Sequence, residues 1–240
     1  MILSTDAFPS FYSKEFKSIL SHLPYNGITK AGAWIAGGSI RRAMFGQPLD
    51  CDIDIFFSDE KQLFRFRSWC NERARKLYKN DFNTSYEMNM AFAKVKVQLI
   101  TFKFFPTPDA VIDDFDFTLC QTLFDGNVIH TTETALKDIE ARSIVPHNLN
   151  GAVSATRFFK YLDQGFSMSA ENIIKTFTIV NEQIKNAPPV ENVLKTMEEV
   201  EDDEEVLYDS YAGHRTYKKV KKSIKVSAVA PIDWMEIFKQ

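Results

Sequence analysis

Apolar and polar positions change rhythm several times along the chain, and each rhythm predicts an element. Over residues 13–23, Phe16, Ile19, Leu20 and Leu23 recur at helical spacing and predict an amphipathic helix. The apolar run Ala33-Trp34-Ile35-Ala36 predicts a short buried strand. Residues 51–57 form a second strand, in which Ile53 and Ile55 face apolar packing and Asp52 and Asp54 face the other way. Ser58-Asp59-Glu60 opens a helix predicted over 60–78, acidic in its first turn and basic toward its end; its arginines and lysines are read as a solvated face. Alternation over 91–105 predicts one or two strands, and Pro106-Thr107-Pro108-Asp109 breaks them. A strand over 115–123, the turn Asp125-Gly126-Asn127 and a strand over 128–130 predict a hairpin. Helical spacing returns over 156–163 and 170–185. The sum is an α+β fold, a mixed sheet with flanking helices followed by a short helical neck.

Candidate chemistry gathers where the first two strands meet. Gly37 and Gly38 permit positive φ and close approach of the backbone to a ligand. Ser39 is placed to cap a helix over 40–45, whose first turn would carry Arg41 and Arg42, and Gly46 is its stop signal. Exposed amides at such a helix start favour phosphate, and cations there are unfavourable unless an anion is present. Asp52 and Asp54 project on one side of their strand about 7 Å apart, able to share a divalent cation. Mg²⁺ suits one or two carboxylates supplemented by substrate phosphates. An isolated Asp-x-Asp is more often a solvated strand end; glycine turn, arginine and paired aspartates in this order are far more specific.

This arrangement resembles the nucleotidyltransferase head of the tRNA CCA-adding enzyme and bacterial poly(A) polymerase family, in the DNA polymerase β superfamily. Gly37, Gly38, Arg41, Gly46, Asp52 and Asp54 match its pattern of Gly-Gly-x-x-Arg, short helix, Gly and Asp-x-Asp. The likeness continues through Asp116-Phe117-Thr118-Leu119-Cys120, Asp125-Gly126, residues 134–139 and the neck segment Arg157-Phe158-Phe159-Lys160-Tyr161. It implies a head over 1–150, a neck over 151–187 and a charged extension over 188–240. It implies catalytic Mg²⁺ on Asp52 and Asp54, two ions with bound triphosphate. Gly37, Gly38 and Ser39 would cradle phosphates, and Arg41, with Arg42, Arg157 and Lys160, would neutralise them. The implied reaction moves a nucleoside monophosphate from a nucleoside triphosphate to an RNA 3′ hydroxyl, with a tRNA-like acceptor favoured. A transferase modifying a protein or small molecule, or a non-catalytic binding module, are the alternatives.

Departures from the pattern are specific. Asp114 and Phe115 stand where the family has paired arginines, Cys120 replaces an asparagine, and Lys160 replaces an arginine and its bidentate fork. Gln98 occupies the strand position where many superfamily members carry a third carboxylate; Asp113, Asp114 or Asp116 could serve instead.

Composition narrows the partners. A formal net charge of −3 gives no global attraction for nucleic acid, so RNA binding needs a local basic patch. Cys51, Cys70 and Cys120 lack zinc spacing and are expected as buried thiols in a reducing compartment. His130 and His147 are expected to be structural. No membrane span or export signal is apparent, so a cytoplasmic protein is expected. The acidic run 198–205 reads as a self-repelling loop unless the basic run 218–222 neutralises it. Trp234, Ile237 and Phe238 suggest an anchor onto the body or onto a protein partner.

Overall fold

Eight strands join into one mixed sheet in the computed structural model of the protein, which describes residues 1–21, 23, 28, 32–49, 51–73, 76–79, 83–89, 94–185, 204–207 and 216–219. In chain order the elements are β1 (Ile2–Ser4), α1 (Lys14–Ser21), β2 (Ala33–Ala36), α2 (Gly38–Met44), β3 (Ile53–Phe57), α3 (Glu60–Arg73), β4 (Lys76–Lys79), β5 (Asn83–Asn89) and β6 (Lys94–Ile100). They continue with α4 (Pro108–Asp113), β7 (Thr122–Phe124), β8 (Val128–Thr131), α5 (Glu133–Glu140), α6 (Gly151–Asp163), α7 (Ala170–Lys185), β9 (Glu204–Leu207) and β10 (Thr216–Lys219). The sheet order is β1-β8-β7-β2-β3-β6-β5-β4. Every neighbouring pair is antiparallel except β3 and β6, which run parallel with Asp54 opposite Gln98.

Side chains alternate between two cores. Ile35, Ile53, Ile55 and Phe57 pack with Phe11, Phe16 and Ile19 below the sheet, the last two supplied by the apolar stripe of α1. Trp34, Ala36, Phe56 and Leu123 face the opposite cluster with Phe105 and Val111. Both faces of β2 are therefore buried, which explains its unbroken apolar run. A third cluster joins Phe117, Leu119 and Ile139 to Phe158, Tyr161 and Phe166, fastening α6 beside the sheet.

Several predicted boundaries shift. The helix expected over 60–78 ends at Arg73, and Lys76–Lys79 pairs with β5, Leu77 opposite Tyr86; tertiary pairing overrides the helical pattern. The Pro106–Asp109 break is also a start signal, because Thr107 accepts from the Ala110 amide and Pro108 opens α4. The strand expected over 115–123 shortens to Thr122–Phe124, after a 3₁₀ turn at Thr118–Cys120. Here the backbone pairs with the 145–148 loop instead, with Thr118 N–H donating to Val145 and His147 N–H to Asp116.

The hairpin at Asp125-Gly126-Asn127 forms as expected. Asp125 Oδ1 accepts from the Asn127 and Val128 amides, both at 2.9 Å, and Oδ2 lies 3.0 Å from His130 Nε2. Desolvation works to raise the Asp125 pKa, but these hydrogen bonds prevail and hold it below the usual value. Because the folded pKa is depressed, this stabilisation is present above pH about 4 and is lost as pH falls further. Asp125→Ala is expected to cost about 1–3 kcal/mol at pH 7 and less at low pH, read from urea midpoints at both pH values.

In β9 and β10, Glu204 lies opposite Lys219 and Glu205 opposite Lys218, so the end of the acidic run and the start of the basic run meet in register. Residues 198–203, 220–222 and the Trp234 to Phe238 anchor lie outside the described residues. Among the described residues no helix is long and apolar enough to cross a membrane.

Candidate active site

A strained turn between β2 and α2 sets one wall of a cleft. Gly37 has φ 81° and ψ −142°, a conformation that essentially only glycine adopts. Its N–H donates to the Thr122 carbonyl at 2.8 Å, and its carbonyl accepts from Thr122 Oγ1 at 3.0 Å, which holds the turn against β7. Gly37, not Ser39, is the N-cap of α2. The helix starts earlier than expected, so the Ser39 side chain is turned inward and buried, with no partner for Oγ. For the same reason Arg41 and Arg42 lie in the second half of α2 rather than its first turn. Gly46, at φ 63°, ends the helix: its N–H donates to Ala43 and that of Gln47 to Arg42, the Schellman pattern.

Arg41 lies in the cleft but in an apolar setting. It is 2 % exposed, with its guanidinium 4.6 Å from the Phe166 ring centre and 5.6 Å from that of Tyr161. NH2 donates to Gln164 Oε1 at 2.7 Å, whereas Nε and NH1 are buried without a partner. Burial lowers its pKa, and no carboxylate is paired with it among the described residues. A buried cation lacking a counter-charge is costly, and an anion in the cleft would offset that cost.

The carboxylates line the same cleft of about 180 Å³. Asp54 is half-buried as a residue, but its Oδ1 is shut off from solvent and has no hydrogen-bond partner. Burial first, and the neighbouring Asp52 charge second, push its pKa to about 7, against weaker opposing pulls from Arg157 and Lys160. Asp52 precedes β3 and accepts from Gln98 Nε2 at 2.6 Å, with Lys96 Nζ at 3.5 Å from the same Oδ2. Two converging carboxylates, one with an orphaned oxygen, fit a hard divalent cation. Among the described residues no third His, Cys, Asp or Glu joins them to make a cluster of three.

The neck supplies the facing wall. Arg157, Lys160, Tyr161 and Gln164 lie one helical face apart on α6 and its C-cap, all on the cleft. Asp116 is buried and accepts from Arg157 NH1 at 3.0 Å and Ser154 Oγ at 3.1 Å, so it anchors the neck to the head. Desolvation opposes the Arg157 charge, but Asp116 outweighs it and raises the pKa. Arg42 reaches the Pro48 carbonyl at 2.8 Å on the cleft rim. Cys120 Sγ lies 2.8 Å from the Tyr161 hydroxyl, and burial, then Asp116, push the thiol up to about 11. Cys70 and Cys120 are buried as expected, but Cys51 is partly exposed on the cleft. His130 pairs with Asp125, and His147 Nε2 lies 3.0 Å from Asp113 Oδ1. Gln164, Lys96 and Ser154 escaped the sequence analysis; Gln164 alone had a local signal, seven residues after Arg157 on one helix face. A larger hollow of about 470 Å³ beside α4 is lined by Asp109, Asp113 and Met1, with no lysine or arginine among the described residues that line it.

The fold is nucleotidyltransferase-like. The Thermotoga maritima CCA-adding enzyme complexed with tRNA superposes with a TM-score of 0.54 at 15 % identity, over 77 % of this chain and 46 % of that one. A CCA-adding enzyme complexed with ATP gives 0.56 at 14 % identity, over 76 % and 47 %. Identity this low establishes the fold alone. The family is a different one: residues 10–142, more than half of the chain, match the Gabija anti-defense 2 family protein description, and the chain belongs to that family. A relative from Bacillus phage SPbetaL7, Gabija anti-defense 2, is 31 % identical over 151 residues, 60 % of this chain and 36 % of the relative. The chain thus spans about a third of the length of that relative and about half of the CCA-adding enzymes.

Proposed function

We propose that this protein is a Mg²⁺-dependent nucleotidyltransferase that moves a nucleoside monophosphate from a nucleoside triphosphate to a hydroxyl acceptor, releasing pyrophosphate. The observation that carries this reading is the cleft's pair of unanswered charges: the buried Arg41 guanidinium on one side and the orphaned Asp54 oxygen on the other. A magnesium–triphosphate complex answers both at once.

Asp52 and Asp54 would hold the metal, which when bound lowers the charge on the phosphates and activates an attacking hydroxyl. Arg41 supplies a fixed, desolvated positive charge that strengthens any phosphate contact. Arg157, held by Asp116, and Lys160 add charge from the neck side. Gln164 and the two rings orient Arg41, so little reorganisation is needed when the ligand arrives. Gly38 leaves the floor open: a Cβ there would meet nothing within 4 Å, so its own packing does not require glycine. At Gly37 a Cβ would both approach the Phe115 ring at 3.3 Å and be strained by the positive φ. Gly38→Ala is therefore expected to stabilise the free protein by about 0.4–1 kcal/mol yet weaken triphosphate binding, whereas Gly37→Ala costs about 1–3 kcal/mol. Melting curves with and without nucleotide distinguish the two.

An RNA 3′ hydroxyl, tRNA-like, is the acceptor that the structural likeness favours. The family description favours a second reading, in which the hydroxyl belongs to a protein or small molecule of a defence system and the transfer disables it. Incubation with Mg²⁺ and each labelled triphosphate, beside total RNA and a bacterial protein extract, tests both, with the Asp52→Ala, Asp54→Ala double variant as control. Label in RNA supports the first acceptor and label in protein the second. The absence of label in every fraction, together with no Mg²⁺-dependent triphosphate binding, overturns the transferase reading.

A further inference from the structure

We propose that the cleft takes a single divalent ion, and that Lys96 and Gln98 occupy with protein groups the side of Asp52 where a second ion would need negative charge. The inference rests on the transferase reading above and concerns the chain's own residues toward the metal.

Strand β6 runs parallel to β3 with Gln98 opposite Asp54, and Lys96, two residues earlier, lies on the same face. The strand next to the carboxylates therefore presents an ammonium and an amide, both donors, to acceptors. Both reach the same atom: Gln98 Nε2 lies 2.6 Å and Lys96 Nζ 3.5 Å from Asp52 Oδ2. A carboxylate oxygen engaged by a short amide hydrogen bond and an ammonium has lone pairs directed at protein rather than at a metal. Neither donor takes Oδ1, so one face of Asp52 stays available beside Asp54. A second dication would add two positive charges next to Lys96, with no third acidic or histidine ligand clustered there among the described residues. Gln98 fixes the orientation of Asp52, and Lys96 supplies the local positive charge. Both are positioning residues.

Counting bound Mn²⁺ by EPR at saturating non-hydrolysable ATP analogue, against an analogue-only blank, tests the inference without turnover. One Mn²⁺ per wild-type chain and two per chain of the Lys96→Met, Gln98→Glu double variant is the expected result. Two in the wild type overturns the inference and leaves the transferase reading standing; one in both proteins overturns it too. No bound Mn²⁺ in either overturns the inference together with the reading beneath it. Lys96→Met alone, at a side chain 41 % exposed where folding should be unaffected, is expected to tighten binding of the single ion about two- to five-fold by removing a competing cation. An unchanged constant rejects the role given to Lys96.

Discussion

Asp54→Asn is expected to make the free protein more stable at pH 8 and to abolish metal-dependent triphosphate binding. The carboxyl is raised from its ordinary value to about 7 by burial and by Asp52. A raised folded pKa means that the native state holds a proton the unfolded chain has released. Stability is therefore full below pH about 4, declines as pH rises through 7, and stays low above it. Asparagine is neutral throughout and escapes that decline. The shift sets a ceiling of about 4 kcal/mol, and roughly 2–4 kcal/mol is expected, because part of the residue reaches solvent. Urea denaturation at pH 4, 6 and 8 should show the two proteins converging at low pH and diverging at high pH; parallel curves would remove Asp54 as a buried, destabilising carboxylate. The same variant should lose transfer at least a thousand-fold in the labelled-triphosphate assay. A group that costs stability in the free protein and is required for ligand has the profile of a functional residue.

The largest purely structural effect is expected at Phe124. It lies on β7 between Ile35 and Ile129, 1 % exposed, and its ring stands edge-on to Phe11 at 5.1 Å, Phe16 at 6.0 Å and Tyr12 at 6.4 Å. Truncation would open a cavity that β2, β8, α1 and the turn before it could not easily fill. Phe124→Ala is expected to cost about 3–5 kcal/mol, a large part of the usual net stability, and Phe124→Leu less than half as much. Thermal and urea melts of both variants check the ranking. A loss under 1 kcal/mol for alanine would mean that the aromatic cluster rearranges around the gap.

What could be read from the chain beforehand divides along a physical line. The helix at Ala170–Lys185 and the strand at Ala33–Ala36 were legible because their signals are local periodicity and composition. The β4–β5 hairpin was not, because Asn83–Asn89 is polar enough to pass for loop and becomes a strand by pairing with β6 across seven residues. In the site, Gly37, Gly38, Arg41, Asp52 and Asp54 were legible as a motif, and the structure brings them to one cleft. The contacts that hold the site were hidden: Gln98 lies 46 residues from Asp52, Arg157 41 from Asp116 and Gln164 123 from Arg41. Spacing along a chain cannot reveal a contact made by folding, nor that Ser39 would be turned inward once Gly37 took the cap.

The hydrogen bonds between Gly37 and Thr122 bear on the order in which the molecule is assembled. The antiparallel pair of β2 and β3 can form early, since only α2 and a short loop separate them; β3 carries Asp54, and Asp52 lies just before it. The glycine turn gains its anchor only when β7 arrives, and β1 finds its partner only when Val128 to His130 have been made. Long-range closures of this kind are slow. A nascent chain released before residue 122 would display the acidic pair without the turn, the neck or the aromatic shelter of the arginine. The cleft is thus completed by strands that lie far along the chain from its most recognisable residues.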